Sequence, residues 1–184
     1  GGDINRCSVL HLSDGADLFL KENSGKGTDF FKAEALGLSA LKSACKGTAL
    51  NVPEVIALGD DFLLLENINP GSSTREYWEN LGRGLAMMHK ADTSRFCSGC
   101  IYGFFADNYI GETDQINTPN NSWIEFFRDY RLVPMLAKAS RHFEREDIAC
   151  AERLLSRLGN FLPDNPAPSL LHGDLWSGNT MAGE

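Results

Sequence analysis

The sequence predicts an α+β protein in which a small antiparallel sheet comes first and helices follow. Three observations carry this. An Asp14-Gly15 pair stands between two apolar runs, a strong signal for a β-hairpin. Two further short apolar runs, 52–59 and 62–66, are separated only by Asp60-Asp61, and runs this short between turn formers fit strands. Beyond residue 72 apolar residues recur at helical spacing.

Gly1 to Glu22 reads as the hairpin: Val9-Leu10-His11-Leu12, the turn Ser13-Asp14-Gly15-Ala16, then Asp17-Leu18-Phe19-Leu20 ending in Lys21. Thr28 or Asp29 is suited to N-cap a helix from about Phe30 to Ala44. Phe31, Ala35, Leu38 and Leu41 fall near helical spacing and are expected to face the core. Glu34 lies one turn in, where the helix dipole favours an acid. The runs 52–59 and 62–66 complete the sheet, and Glu66-Asn67-Ile68-Asn69-Pro70-Gly71 leaves it as a linker.

Ser73, with Glu76 three residues later, reads as a capping box opening a second helix. Its stripe is Trp78, Leu81, Leu85 and Met88; Met87 and Met88 read as packing residues, and His89 as a core or helix-end histidine. Residues 91–122 are polar and Gly-rich without clear periodicity, and a loop of that length is usually functional or mobile. Trp123, Phe126, Phe127 and Tyr130 then form an aromatic stripe, core first and ligand surface second. Pro134 breaks that helix or starts the next. Ile148, Ala151, Leu154, Leu155 and Leu158 mark another amphipathic helix, ended by the Pro-rich run 163–168. Leu170-Leu171 suggests a short buried strand.

The 184 residues suffice for one domain or two small lobes, and a 42% hydrophobic content supports a sizeable core. The net charge of −8, with no basic run, argues against a nucleic-acid or anionic-membrane partner. No apolar stretch approaches a membrane span, and no signal peptide is visible. Five scattered cysteines, an odd count, do not suggest a disulfide scaffold, and reduced thiols in a cytoplasm are the expectation. Cys97 and Cys100 form a C-x-x-C with no second pair at zinc-finger spacing, so loop thiols are the leading reading. The chain begins Gly1-Gly2 rather than with Met, so its natural start is expected upstream.

The chemistry concentrates in Leu170-Leu171-His172-Gly173-Asp174-Leu175-Trp176-Ser177-Gly178-Asn179. Asp174 and Asn179 have the spacing of the protein-kinase catalytic loop, H-R-D-x-x-x-x-N. Phosphoryl transfer needs a carboxylate beside the attacking hydroxyl and an oxygen ligand on the metal that neutralises the phosphates. Gly, Ser, Asp and Asn also favour plain turns, and the Asp–Asn spacing alone fits one. A lysine after an apolar strand, followed by a helical glutamate, is likewise the arrangement by which kinases hold nucleotide phosphates, and Lys21 with Glu34 matches it. Gly1-Gly2 ahead of the hairpin could bring backbone amides close to phosphate oxygens.

The octet His172–Asn179, with Gly173 in place of the kinase Arg, resembles the loop of the fructosamine-3-kinase (ketosamine kinase) family, within the aminoglycoside-phosphotransferase-like kinases. Phe31-Lys32-Ala33-Glu34, residues 81–89, the segment Tyr102–Gly111 followed by Gln115 and Asn117, and the W-x-x-F-F run at Trp123 are also similar to that family. The resemblance implies a protein-kinase-like two-lobed fold. Residues 1–66 would be a nucleotide-binding lobe, 67–71 a hinge, and 72–184 a helical lobe incomplete just after the catalytic loop. It implies ATP and magnesium as cofactors and a ketosamine or glycated amine as acceptor, phosphorylated so that the amine is freed. In it Asp174 is the proton acceptor, Asn179 a magnesium ligand, and Lys21 with Glu34 the phosphate clamp. Gly1 and Gly2 contact the nucleotide, and Asn67, Ile68 and Asn69 line the adenine edge. His172 and Trp176 face the substrate, although Trp176 could equally pack the loop. Some relatives carry a cysteine directly after the glycine pair, where Asp3 stands here. The family continues past this point into a strand with a D-P-A metal motif, so residues 1–184 alone are expected to be an inactive fragment. An aminoglycoside- or choline-type kinase of the same fold, or a non-catalytic nucleotide-binding module, are the alternatives.

Overall fold

Four strands form the antiparallel sheet that the two hairpin signals predict, in the computed structural model of the chain, which describes residues 5–97 and 99–183. They are β1 (Arg6–His11), β2 (Asp17–Glu22), β3 (Val55–Leu58) and β4 (Phe62–Glu66), in the order β1-β2-β4-β3. The first turn closes as Asp14-Gly15 demands: Asp14 Oδ1 accepts from Ala16 N, and Leu12 N donates to Ala16 O at 2.9 Å. β2 pairs on one side with β1 and on the other with β4, so Lys21 lies between Cys7 and Leu63. β3 is shorter than the apolar run 52–59, and its register with β4 shifts between Val55 and Ala57.

Helix α1 (Asp29–Ala44) covers the sheet. Phe30, Phe31, Leu63 and Leu65 are its buried centre, and Phe19, Ala35, Leu38, Val55 and Tyr109 pack around them. Burying a ring as completely as Phe31 contributes roughly 1.5–3 kcal/mol. Of the two expected caps Thr28 is the N-cap, although its backbone is αR and its side chain makes no capping hydrogen bond.

Helix α2 (Arg75–Met88) starts one residue later than the capping-box reading requires. Thr74, not Ser73, is the N-cap, and its hydroxyl accepts from Tyr77 N at 3.2 Å. Met88 is buried, but Met87 is 51% and Trp78 56% exposed, so neither is the packing residue the sequence suggested. Adjacent positions on a helix point about 100° apart, and the stripe that reaches the interior here runs through Gly84 and Met88. His89 caps the end of α2.

The chain divides into two compact units: Gly1–Asp92 with Tyr109–Thr113 and Ser169–Glu184, and Thr93–Asn108 with Asp114–Pro168. The aperiodic connection contains two short strands, β5 (Asn108–Ile110) and β6 (Thr113–Gln115), whose tip, Tyr109–Thr113, belongs to the first unit and whose base belongs to the second; sequence reasoning left these as loop. Helix α3 (Trp123–Phe127) passes through a π-helical turn, Arg128–Leu132, into α4 (Val133–Ala139), with Pro134 in its first turn. Pro134 therefore starts a helix, where its missing N–H is no loss. Trp123 stacks along Phe126 and lies 5.3 Å from Phe127, and Phe126 meets Tyr130, as the aromatic stripe predicts. Helix α5 (Arg145–Ser156) has a capping box made by Glu144 and Asp147. Its stripe is corrected in part: Leu158 is buried, whereas Ile148 and Leu154 are 43% and 42% exposed. The buried strand expected at Leu170-Leu171 is absent; those residues have no regular structure and Leu171 is 65% exposed. No helix among the described residues is long and apolar enough to cross a membrane.

Candidate active site

Strand alternation brings the first pair together. Phe19 and Lys21 stand two residues apart on β2 and so share a face. Phe19 packs on the cluster under α1, which aims Lys21 at the same helix. On α1, Glu34 lies three residues after Phe31 and four before Leu38, within the stripe that meets the sheet. Lys21 Nζ and Glu34 Oε1 meet at 2.5 Å, with side chains 23% and 27% exposed. The remaining exposure leaves the ammonium reachable by an anion.

The Asp174 loop is built as a closed turn. Gly173 has φ +88°, a left-handed conformation that side-chain-bearing residues rarely adopt, and it swings the chain out of His172 into Asp174. Asp174 N donates to His172 Nδ1 at 3.4 Å. Asn179 Nδ2 donates to the Asp174 main-chain O at 2.8 Å and to its Oδ2 at 2.9 Å, and Asn179 N donates to Trp176 O. The Asn179 amide nitrogen thus faces Asp174 within the loop. The Trp176 ring lies so close over Gly178 that a Cβ there would fall 2.4 Å from it and push the ring aside. Trp176 packs the loop on that side and remains 60% exposed.

Two ties fix the loop within its unit. Ser169 Oγ donates to His89 O at 2.8 Å, at the end of α2. Downstream, Gly71 N donates to Ala182 O at 2.6 Å, and Pro70 and Gly183 form an antiparallel bridge. Ile68 lies against Gly183, and Asn67 Nδ2 donates to Asn69 Oδ1 at 3.3 Å. The segment 67–71 is therefore paired with the chain just beyond Asn179. Gly1 and Gly2 lie outside the described residues.

A hard cation such as magnesium takes oxygen ligands. Asn179 carries such an oxygen in its side-chain amide, and Lys21 suits the phosphates of a nucleotide.

The second unit contains a polar cluster that sequence reasoning noted only as a resemblance. Asn117 is 3% exposed and fully partnered. Its N donates to Asp107 Oδ1, and its Nδ2 donates to Ala106 O and Asn108 Oδ1. Arg131 was missed. It donates from Nη2 to Asn117 Oδ1 and from Nη1 to Ile116 O, both at 2.6 Å, and lies 4.7 Å from the centre of the Phe126 ring. Burial pushes its guanidinium pKa down, and Asp107 opposes that. An arginine beside an aromatic stripe was the available signal. Cys97 is buried, its Sγ donating to Tyr102 O at 3.3 Å; burial, with Cys100 nearby, pushes its thiol pKa up.

A family model described as fructosamine kinase matches residues 1–184. A protein-ribulosamine 3-kinase, chloroplastic, of Oryza sativa subsp. japonica is 37% identical over 97% of this chain and 52% of its own length. A probable ketoamine kinase of Synechocystis sp. is 35% identical over 97% of this chain and 59% of its own. Among solved structures, a candidate fructosamine-3-kinase of Thermobifida fusca superposes with a TM-score of 0.82 at 31% identity, over 98% of this chain and 62% of the other. The chain thus spans between half and two thirds of the length of these relatives. Its sheet followed by helices is the α+β, protein-kinase-like fold that the sequence predicts. The match of a family model over every residue, joined to that shared fold, has one reading: the chain belongs to the fructosamine kinase family.

Proposed function

We propose that this chain is the nucleotide-binding and hydroxyl-activating part of an ATP-dependent ketosamine kinase. The observation that carries the reading is the Lys21–Glu34 ion pair, in the same compact unit as the Asp174–Asn179 loop. In this reading Glu34 holds the Lys21 ammonium toward the phosphates, and the segment 67–71 lies along the adenine edge. Asp174 accepts the proton of a sugar hydroxyl on the side not occupied by Asn179 Nδ2. Asn179 would hold a magnesium ion through its side-chain oxygen, and that ion would supply charge against the transferring phosphoryl group. Trp176, half-free of the loop, presents an aromatic face to the sugar, and His172 lies beside it.

The relatives named for ribulosamine and ketoamine substrates support a ketosamine acceptor here. The finer reading is that residues 1–184 alone are inactive, because the neutral amide of Asn179 is by itself a weak ligand for the magnesium ion that must balance the developing phosphate charge. The test is ATP-dependent phosphorylation of a fructosamine and a ribulosamine, by this chain and by one extended to the length of its relatives. Transfer by the extended chain only is expected. Absence of transfer and of ATP binding in both would refute the kinase reading, and equal turnover would refute the inactive-fragment reading.

A further inference from the structure

The first turn of α1 is held without a side-chain cap. The Thr28 hydroxyl makes no capping hydrogen bond, although that is the ordinary way to satisfy the first amides of a helix. Phe30 N donates to Gly27 O at 3.1 Å, and a stack of side chains packs against the turn. Phe30, 8% exposed, meets Phe31 edge-on at 5.6 Å and Tyr109 at 5.0 Å between ring centres. Lys26 Nζ lies 5.9 Å from the centre of the Phe30 ring and 3.3 Å from Glu112 Oε1. Tyr109 and Glu112 both come from Tyr109–Thr113, the tip of the β5–β6 hairpin, which belongs to the same compact unit as α1. Glu34 stands one helical turn after Phe30, on the same face. A shift of α1 against the sheet changes the reach of the Glu34 carboxylate to Lys21.

We infer that the hairpin tip is a positioning element for phosphoryl transfer. Tyr109 acts through Phe30, and Glu112 through Lys26, to keep α1 where Glu34 reaches Lys21. The inference rests on the reading of Lys21 and Glu34 as the phosphate clamp. Neither Tyr109 nor Glu112 touches a reacting group; both act through the helix.

The test is steady-state kinetics of the full natural chain with ATP and a fructosamine, on Tyr109→Ala, Tyr109→Phe, Glu112→Gln, Glu34→Gln and the double variant Tyr109→Ala/Glu34→Gln. Tyr109→Ala is expected to lower kcat/KM for ATP about tenfold, on the scale of one lost positioning contact, with the KM for fructosamine unchanged. Tyr109→Phe restores it, because the ring and not the hydroxyl meets Phe30. Glu112→Gln loses roughly two- to threefold, as a partly exposed ion pair should. The double variant is no worse than Glu34→Gln alone, since both act on one contact. Independent, multiplying losses would overturn the inference, as would wild-type ATP kinetics in Tyr109→Ala. If Tyr109→Ala does not fold, Glu112→Gln decides: its side chain is 65% exposed, and unchanged ATP kinetics there would overturn the inference equally. Wild-type kinetics in Glu34→Gln is a different result, which removes the clamp reading and the inference with it.

Discussion

Glu34→Gln removes one charge from the Lys21–Glu34 pair and keeps the shape of the side chain. The pair meets at 2.5 Å, and its side chains are 23% and 27% exposed, so it is mostly but not fully withdrawn from water. Exposed pairs are worth about 0–1 kcal/mol, and breaking a fully buried one costs about 3–5 kcal/mol. This pair lies between, and glutamine still offers the ammonium a neutral acceptor, so a stability loss of about 1–2 kcal/mol is expected. For a chain of this size, at about 2–4 °C per kcal/mol, that lowers Tm by roughly 2–8 °C. The kinetic loss is larger than the stability loss suggests, because Lys21 is then free to leave the phosphates. A ten- to hundredfold fall in kcat/KM for ATP corresponds to about 1.4–2.7 kcal/mol. The assay is thermal denaturation, and steady-state kinetics in the chain extended to the length of its relatives, on Lys21→Met, Glu34→Gln and the double variant. A coupling energy indistinguishable from zero in both measurements would show that the two side chains meet without depending on each other, and the clamp argument would fail.

In the chain extended to the length of its relatives, Asp174→Asn should lower turnover by roughly two to four powers of ten while leaving nucleotide affinity nearly unchanged, as read by ATP titration; near-normal turnover removes Asp174 from the base role. Phe31→Ala empties the centre of the cluster between α1 and the sheet and should cost about 3–5 kcal/mol, measured by denaturant unfolding. The Cys97 thiol has its pKa raised in the fold by burial first and by Cys100 second. The fold therefore prefers the neutral thiol, and the stability it contributes is complete at neutral pH and is lost as pH rises through the folded value. Alkylation at pH 8 should reach exposed Cys150 before Cys97, and Cys97→Ala should reduce the fall in Tm on the alkaline side.

The sequence by itself determined whatever depends on neighbours along the chain. Asp14-Gly15 specified the first turn, the apolar runs specified β2 and β4, and the period of Phe31, Ala35 and Leu38 specified α1 and its inner face. The spacing of Asp174 and Asn179 carried the loop motif, because a turn that short is closed by its own side chains. Tertiary structure decided which side of an element finds cover. Met87 and Met88 are equally apolar, and only the second meets an interior; Ile148 and Leu154 keep helical period yet remain largely in solvent. Leu170-Leu171 has the composition of a strand but pairs with no strand among the described residues, and a lone strand is not stable. The β5–β6 hairpin is too short and polar to announce itself by alternation. Its base is set by contacts with Asn117, and Arg131 holds Asn117 from a later helix. The meeting of Lys21 with Glu34 and the seat of Tyr109 on Phe30 are likewise contacts between separate elements, and packing, which no local pattern encodes, brought them together.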